Sequence, residues 1–454
     1  MKNTVLTIIC LLLASQVNAQ YSGGGEAYPE LQTNQESLDN FLDMRFGMFI
    51  HWGPVSLRGE EISWSRGREI PIEEYDELYR EFNPELFNAA EWVGAAKMAG
   101  MKYLVITTRH HDGFSLWDSP YTDYDMASTP YGKGVLKALS EECSKQGILF
   151  GTYYSICDWY RDDYPVVYPD PNYNTKPEQA MDSATQAGMN QYVGFMINQL
   201  QELVNDFNTN IMWFDGEWEW AWTHELGMKA YAYLRELKPE LLINNRVDNG
   251  WQGMEDKERN PIYAGDFATP EQQIGTFDNK FAWETCMTMG EQWAWKPDDN
   301  LKSTKECIHT LARTIGGDGN LLFNVGPMPD GRIEQRQLDR LEEMGQWVSI
   351  NQEAIYGSRG GPFLPTDQMV STHKDKKIYL FLLEEPGAEL KISLEKGIKI
   401  KKAYFLADKS KVKVKSNKGE TTLRLPSALP DEAASVIVLE LNTAASEIEP
   451  TSLL

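Results

Sequence analysis

Ile211-Met-Trp-Phe-Asp-Gly-Glu-Trp218 is an apolar run of β-forming residues that stops at a carboxylate, and the glycine after it lets the chain turn away. A strand ending at Asp215 places that carboxylate at a sheet's C-terminal edge, flanked by Trp213, Phe214 and Trp218. In a barrel of parallel strands, this edge is where active sites are built. Strand-Asp-Gly is also an ordinary turn signal, and an Asp there can simply cap the next helix. The rest of the chain decides between these readings.

Working outward, apolar runs of the same kind recur. Met48-Phe-Ile-His-Trp-Gly53 is a short buried strand, Tyr103-Leu-Val-Ile-Thr-Thr108 runs straight into Arg109-His-His-Asp-Gly113, and Leu149 to Ser155 carries Tyr153 and Tyr154. Later strands are read at Leu241 to Arg246, Phe281 to Cys286 and Asn320 to Val325. Between them, helical periodicity marks Glu85 to Gly100, 135–146, 186–207, 224–237, 303–315 and 334–350, while 161–185, rich in Tyr, Pro, Asp and Asn, reads as a loop. Uniformly apolar strands alternating with helices mean a parallel sheet covered on both faces. The fold class expected is an α/β barrel, (β/α)8-like, with irregularity where one or two strands are weakly marked.

The period changes after Gly361. Lys377 to Leu382, Glu389 to Ser393, Ile398 to Tyr404, Lys411 to Lys415, Thr421 to Leu425 and Ala434 to Glu440 alternate with period two, which indicates an all-β C-terminal sandwich. Its lysines put charge on the solvent face and protect sheet edges, and the residues from Asn442 read as a polar tail. The domain organisation expected is therefore a leader over 1–19, a barrel over 20–355 and a sandwich over 356–454.

The 454 residues carry a net charge of −24, with a pI near 4.7, which excludes nucleic acid and anionic membrane surfaces as partners. Lys2, the apolar run Val5 to Ala14 and the small-residue pattern Val17-Asn-Ala19 have the shape of a secretory signal. Export, with cleavage near Ala19 and a periplasmic or secreted product, is the expectation; the oligomeric state is left open. Cys143, Cys157, Cys286 and Cys307 are far apart and show no C-x-x-C pair, so buried free thiols are expected and a zinc site is not.

His51, His110 and His111, half of the six histidines, stand at the ends of two early strands. They point to a polar pocket that binds hydroxyls. A metal is the rival reading, but adjacent histidines on a strand point to opposite faces and chelate one ion poorly. A second carboxylate is offered by Glu271, after a Pro in the loop Gly265 to Gln273, with Glu284 after Trp283 as the competitor. Two carboxyls in unlike environments are what glycoside cleavage needs, and Arg246 at another strand end could hold an acid or a ring hydroxyl through its fork.

As a set, Arg45-Phe-Gly-Met-Phe-Ile-His-Trp-Gly53, Thr107-Thr-Arg-His-His-Asp-Gly-Phe114, Trp213-Phe-Asp-Gly216, the Glu271 loop and Asn320-Leu-Leu-Phe-Asn-Val-Gly-Pro327 with Asp330-Gly331 resemble the retaining α-L-fucosidases of glycoside hydrolase family 29. The resemblance runs from about residue 35 to 360. It implies a fucosylated glycan as substrate, no metal or organic cofactor, and double displacement. Asp215 falls on the family's nucleophile and Glu271 on its acid/base, with Glu284 the fallback. His51, His110, His111, Tyr153 and Arg246 fall on fucose-binding positions, and Trp293 on an aromatic position under the sugar methyl. Where many members carry Glu-Trp, this chain reads Glu60-Glu-Ile-Ser-Trp-Ser65; Trp64 is retained, Ser63 replaces the acid, and Glu60 or Glu61 is left as a possible substitute.

Overall fold

The computed structural model describes residues 27–170, 183–249, 262–384, 387–417 and 420–452. The expected leader and its cleavage point near Ala19 lie outside the described residues, as does 171–182 of the expected loop; the helix there begins at Ser183.

Seven parallel strands form one sheet: β1 (Phe46–Ile50), β2 (Tyr103–Arg109), β3 (Leu149–Ser155), β4 (Ile211–Asp215), β5 (Leu242–Ile243), β6 (Glu284–Thr288) and β7 (Asn320–Val325). Their order is β5-β4-β3-β2-β1-β7-β6. Helices Ala89–Met98, Leu136–Gln146, Ser183–Asp206, His224–Leu237, Thr304–Gly316 and Gln335–Ile355 form the connecting layer. The edges β5 and β6 are tied together by residues 267–271, which make isolated parallel bridges from Phe267 to Asn244, Ala268 to Trp283 and Glu271 to Cys286. This is the weakly marked strand of the ring. Pro270 has no N–H to donate, and Gln272 takes a left-handed φ of 53°, so the segment cannot sustain a regular ladder.

Alternate side chains fill the interior, as they must in a small barrel. Phe49, Tyr103, Val105, Tyr153, Trp213 and Leu322 belong to one buried cluster, and helix Gln35–Met44 closes its lower end with Leu38, Phe41 and Leu42. The plug sits at the strands' N-terminal ends: Phe41 packs 5.6 Å from Tyr103, and its carbonyl accepts from Asn320. The other strand faces, including Met48, Leu104, Phe150 and Phe214, pack under the helices, each contributing about 1.5–3 kcal/mol on burial. The opposite, C-terminal end is therefore left as the open one.

Three expected elements are shorter than their apolar runs. The helix read from Glu85 starts at Ala89, because Asn88 caps it by accepting from the Ala90 N–H. The strand read over Leu241 to Arg246 stops at Ile243, because the Asn244 amide satisfies both the N–H and the carbonyl of Phe214, and Asn245–Val247 then turn as a 3-10 helix. Likewise the strand read from Phe281 begins at Glu284.

The antiparallel region adds β8 (Arg359–Gly360), β9 (Met369–Lys374), β10 (Lys377–Leu382), β11 (Glu389–Ser393), β12 (Ile400–Phe405), β13 (Lys413–Asn417), β14 (Glu420–Arg424) and β15 (Ser435–Leu441). These make a five-stranded sheet, β12-β15-β10-β9-β8, and a three-stranded one, β11-β14-β13. Period two divides the larger sheet's faces: Tyr379 and Phe381 join the core under the barrel helices, whereas Ile378, Leu380 and Leu382 pack in a separate cluster with Ile392 and Leu423. The polar tail expected from Asn442 is instead packed. Ala445 and Ile448 are buried, and Thr451 accepts from the Leu364 N–H while donating its own N–H to Pro362.

Candidate active site

At the open end, residues at and just beyond the strand ends converge on a cavity. It is lined by Phe49, His51, Trp64, His110, His111, Tyr153, Trp213, Asp215, Trp218, Glu271, Cys286 and Trp293. Of the residues singled out in the sequence, the structure brings His51, Trp64, His110, His111, Tyr153, Asp215, Glu271 and Trp293 to this cavity. Arg246 stands behind it, and Glu284 lies elsewhere.

Asp215 ends β4, and the chain leaves through Gly216 with φ 93°; a Cβ there would lie 2.4 Å from the Cys157 sulfur, so the turn requires glycine. Arg246 Nη1 donates to Asp215 Oδ1 at 2.6 Å, and the Tyr153 hydroxyl donates to Oδ2 at 2.8 Å. The second Arg246 nitrogen, Nη2, donates to Glu271 Oε2 at 2.8 Å. The guanidinium is itself fixed by the Thr269 hydroxyl and carbonyl. One planar fork thus spans two carboxylates of unlike exposure, Asp215 with 12% of its side chain accessible and Glu271 with 39%.

Glu284 is inside the barrel, below the pocket. It accepts from the Tyr103 hydroxyl and from Trp213 Nε1 at 3.0 Å, and complete burial pushes its carboxyl up to about 8. It therefore orients Trp213 from beneath. A carboxyl raised on folding holds its proton where the unfolded chain has lost it, so its contribution to stability falls as pH rises from about 4.5 towards 8. Glu284→Gln is expected to flatten that dependence. Thermal unfolding of both proteins from pH 5 to 9 checks this: the variant should gain on the wild type as pH rises, and parallel curves would contradict it.

The three histidines are buried and neutral. Burial lowers His51 and His111 to about 3 and holds His110 well below the ordinary imidazole range. Each ring is held through Nδ1: His51 to Asn324 Oδ1 at 2.7 Å, His110 to the Ser63 hydroxyl at 2.6 Å, and His111 to the Ser155 hydroxyl at 2.7 Å. The expectation that His110 and His111 face opposite ways is corrected here. β2 ends at Arg109, residues 110–113 turn, with the Gly113 N–H donating to the His110 carbonyl, and both rings meet the cavity with centroids 4.1 Å apart. Their nitrogens come within 4.8 Å of an Asp215 oxygen, close enough to share an ion. However, Asp215 already faces the Arg246 guanidinium, whose positive charge opposes a cation at the same carboxylate.

Ser63 holds His110 and accepts the Asp112 N–H at 2.9 Å. Glu61 is turned aside to accept the backbone N–H groups of Trp293 and Ala294, and neither Glu60 nor Glu61 lines the cavity. Sequence reasoning did not assign roles to Trp218, Asn324 or Glu217. Trp218 stacks within 19° of parallel to Trp64 at the cavity. Asn324 stands within the Asn320 to Pro327 motif but carries no local signal of its partners. Glu217, buried two residues beyond Asp215, has its carboxyl pushed up to about 8 by burial, with one oxygen lacking a partner. Cys143, Cys157, Cys286 and Cys307 are free and buried.

The comparisons agree with the geometry. The α-L-fucosidase family model matches residues 12–353. Human plasma α-L-fucosidase is 28% identical over 387 residues, 77% of this chain and 78% of that protein. Among solved structures, α-L-fucosidase isoenzyme 1 from Paenibacillus thiaminolyticus is 32% identical with a TM-score of 0.76, covering 90% of this chain and 99% of that one. A GH29 α-L-fucosidase from Bacteroides thetaiotaomicron, trapped as a covalent intermediate with 2-fluoro-fucosyl fluoride in a glutamate-to-glutamine mutant, is 26% identical with a TM-score of 0.81, covering 94% of this chain and 100% of that one. With a match over so much of its length, and the strand-end carboxylates and histidines gathered in one pocket, the chain belongs to the α-L-fucosidase family.

Proposed function

We propose that the protein is an exo-acting, retaining α-L-fucosidase that hydrolyses terminal α-L-fucosyl linkages of oligosaccharides or glycoconjugates, with Asp215 as nucleophile and Glu271 as acid/base. The observation that carries the assignment is the Arg246 fork between the two carboxylates. Holding both from one guanidinium favours the short separation of about 5–5.5 Å that a retaining pair needs over the wider gap that leaves room for a water in an inverting pair. Phe49, Trp213 and Cys286 close the cavity from the barrel side, so it accepts a chain end and not the middle of one.

In the first step Asp215 attacks the anomeric carbon, while Glu271 gives its proton to the departing oxygen. The C–O bond to the aglycone breaks as the Asp215–fucosyl ester forms. Glu271, now ionised, takes a proton from a water that attacks the same carbon, and L-fucose leaves with Asp215 restored as a carboxylate. Arg246 and Tyr153 hold Asp215 in place for attack, and neutral His51, His110 and His111 offer hydrogen bonds to ring hydroxyls without adding charge. Trp64 and Trp218 give flat apolar faces beside the sugar.

Fucose release from an aryl α-L-fucoside and from fucosylated oligosaccharides tests the reading; no release from any of them would overturn it. A metal-assisted hydrolase built on His110, His111 and Asp215 is the alternative that the donor cluster raises. Dialysis against excess EDTA separates the two: the fucosidase mechanism predicts unchanged kcat/KM, and a loss restored by a divalent ion would favour the metal.

A further inference from the structure

His51 is held by a chain of groups whose donors and acceptors are fixed one after another. The Trp293 carbonyl can only accept, so the Asn324 atom 2.7 Å from it is the amide nitrogen, Nδ2. The amide oxygen of Asn324 then faces His51 Nδ1 at 2.7 Å, and an amide oxygen also only accepts. The proton of the neutral ring therefore sits on Nδ1, and Nε2 carries a bare lone pair. No described residue is hydrogen-bonded to Nε2, and the ring lines the cavity. The rings of Phe49 and Trp293 flank that of His51, with centroids 4.4 and 4.7 Å away.

We infer that Asn324 is the positioning residue that fixes the tautomer of His51 and thereby makes His51 Nε2 an obligatory hydrogen-bond acceptor for one hydroxyl of the bound sugar. The inference rests on the fucosidase reading of the pocket. It assigns specificity to a residue that touches no substrate: a sugar lacking that hydroxyl, or carrying an ether in its place, leaves the lone pair unmet in a buried site. It also explains why the strand places an amide among apolar neighbours, since Asn324 ties the His51 ring and the Trp293 backbone into one rigid wall. The titratable groups around the ring are His110, His111 and Tyr153, with Asp215 held across the pocket by Arg246 and Glu61 bound to backbone N–H groups. None of them sets a carboxylate against His51 that would favour a second proton.

The test is a two-dimensional proton–nitrogen spectrum of the full chain labelled with 15N only in histidine, with the His51 signal identified by its loss in His51→Gln. The expected result is a proton on Nδ1, none on Nε2, and no titration between pH 5 and 8; a proton on Nε2, or a titration near 6.5, overturns the inference. In kinetics, Asn324→Leu should lower kcat/KM about 10- to 100-fold, mostly through KM. On a set of monodeoxy aryl fucosides, the variant should lose the penalty that the wild type shows at one hydroxyl while keeping the others. An unchanged pattern of penalties contradicts the role even if activity falls. If the leucine variant does not fold, the wild-type spectrum still decides the tautomer. Failure of every fucoside as a substrate would sink the fucosidase reading and the sugar contact with it, whatever the spectrum shows.

Discussion

Asp215→Ala is expected to lower turnover of an aryl α-L-fucoside by at least about 10⁴-fold while leaving the protein folded. Loss of a covalent nucleophile removes the step itself, and losses of this order follow where the nucleophile acts together with its supporting groups. The fold should survive because Asp215 ends its strand: β4 is held by backbone pairing of Ile211 to Asp215 with Gly151 to Ser155 on β3, which an alanine keeps, and Arg246 keeps Glu271 and Thr269. The cost of leaving the Tyr153 hydroxyl and one Arg246 nitrogen without Asp215 is about 1–3 kcal/mol, a small change in melting temperature for a chain this long. Alanine also opens space beside the anomeric carbon. A small anion such as azide should enter it, attack in place of the carboxylate and release a fucosyl azide of inverted configuration. Near-normal activity in the alanine variant would refute the nucleophile assignment.

Glu271→Gln is expected to be nearly as damaging, with a loss that depends on the leaving group. A glutamine cannot protonate the departing oxygen or take a proton from water, and each function contributes about 10²–10⁴-fold. With a glycan leaving group, formation of the ester should become the slow step. With a nitrophenol, which departs without help, the ester should accumulate, seen as a burst of nitrophenol followed by slow turnover. Glu284→Gln supplies the contrast: buried below Trp213, it should alter the pH dependence of stability and show no such dependence on the leaving group. If Glu284→Gln gave the burst and Glu271→Gln did not, the roles of the two acids would be reversed.

Much of this was legible in the residues, and the gaps have physical causes. β3 and β7 were readable to the residue, because each is a buried apolar run whose boundaries are set by its own composition. β5 was read too long, since an asparagine side chain replaced the ladder at Phe214, a substitution that no periodicity records. The packed C-terminal residues were missed because Ala445 and Ile448 are isolated apolar positions in a polar stretch, buried only by tertiary contact. In the site, Asp215 and the histidines were visible at strand ends. The pairing of Asp215 with Glu271 through Arg246 was not, since those residues are brought together by bridges spanning 267–271 and not by local pattern. Asn324 was hidden for the same reason: its function lies in what its two amide atoms face.

The most direct test of the central claim is the mass of the protein after incubation of the Glu271→Gln variant with 2-fluoro-fucosyl fluoride. The account predicts one added 2-fluoro-fucosyl group per chain, carried on the peptide that contains Ile211 to Trp218 and absent when Asp215 is also replaced. An adduct on any other peptide, or a protein that turns over fucosides without ever forming one, would contradict it.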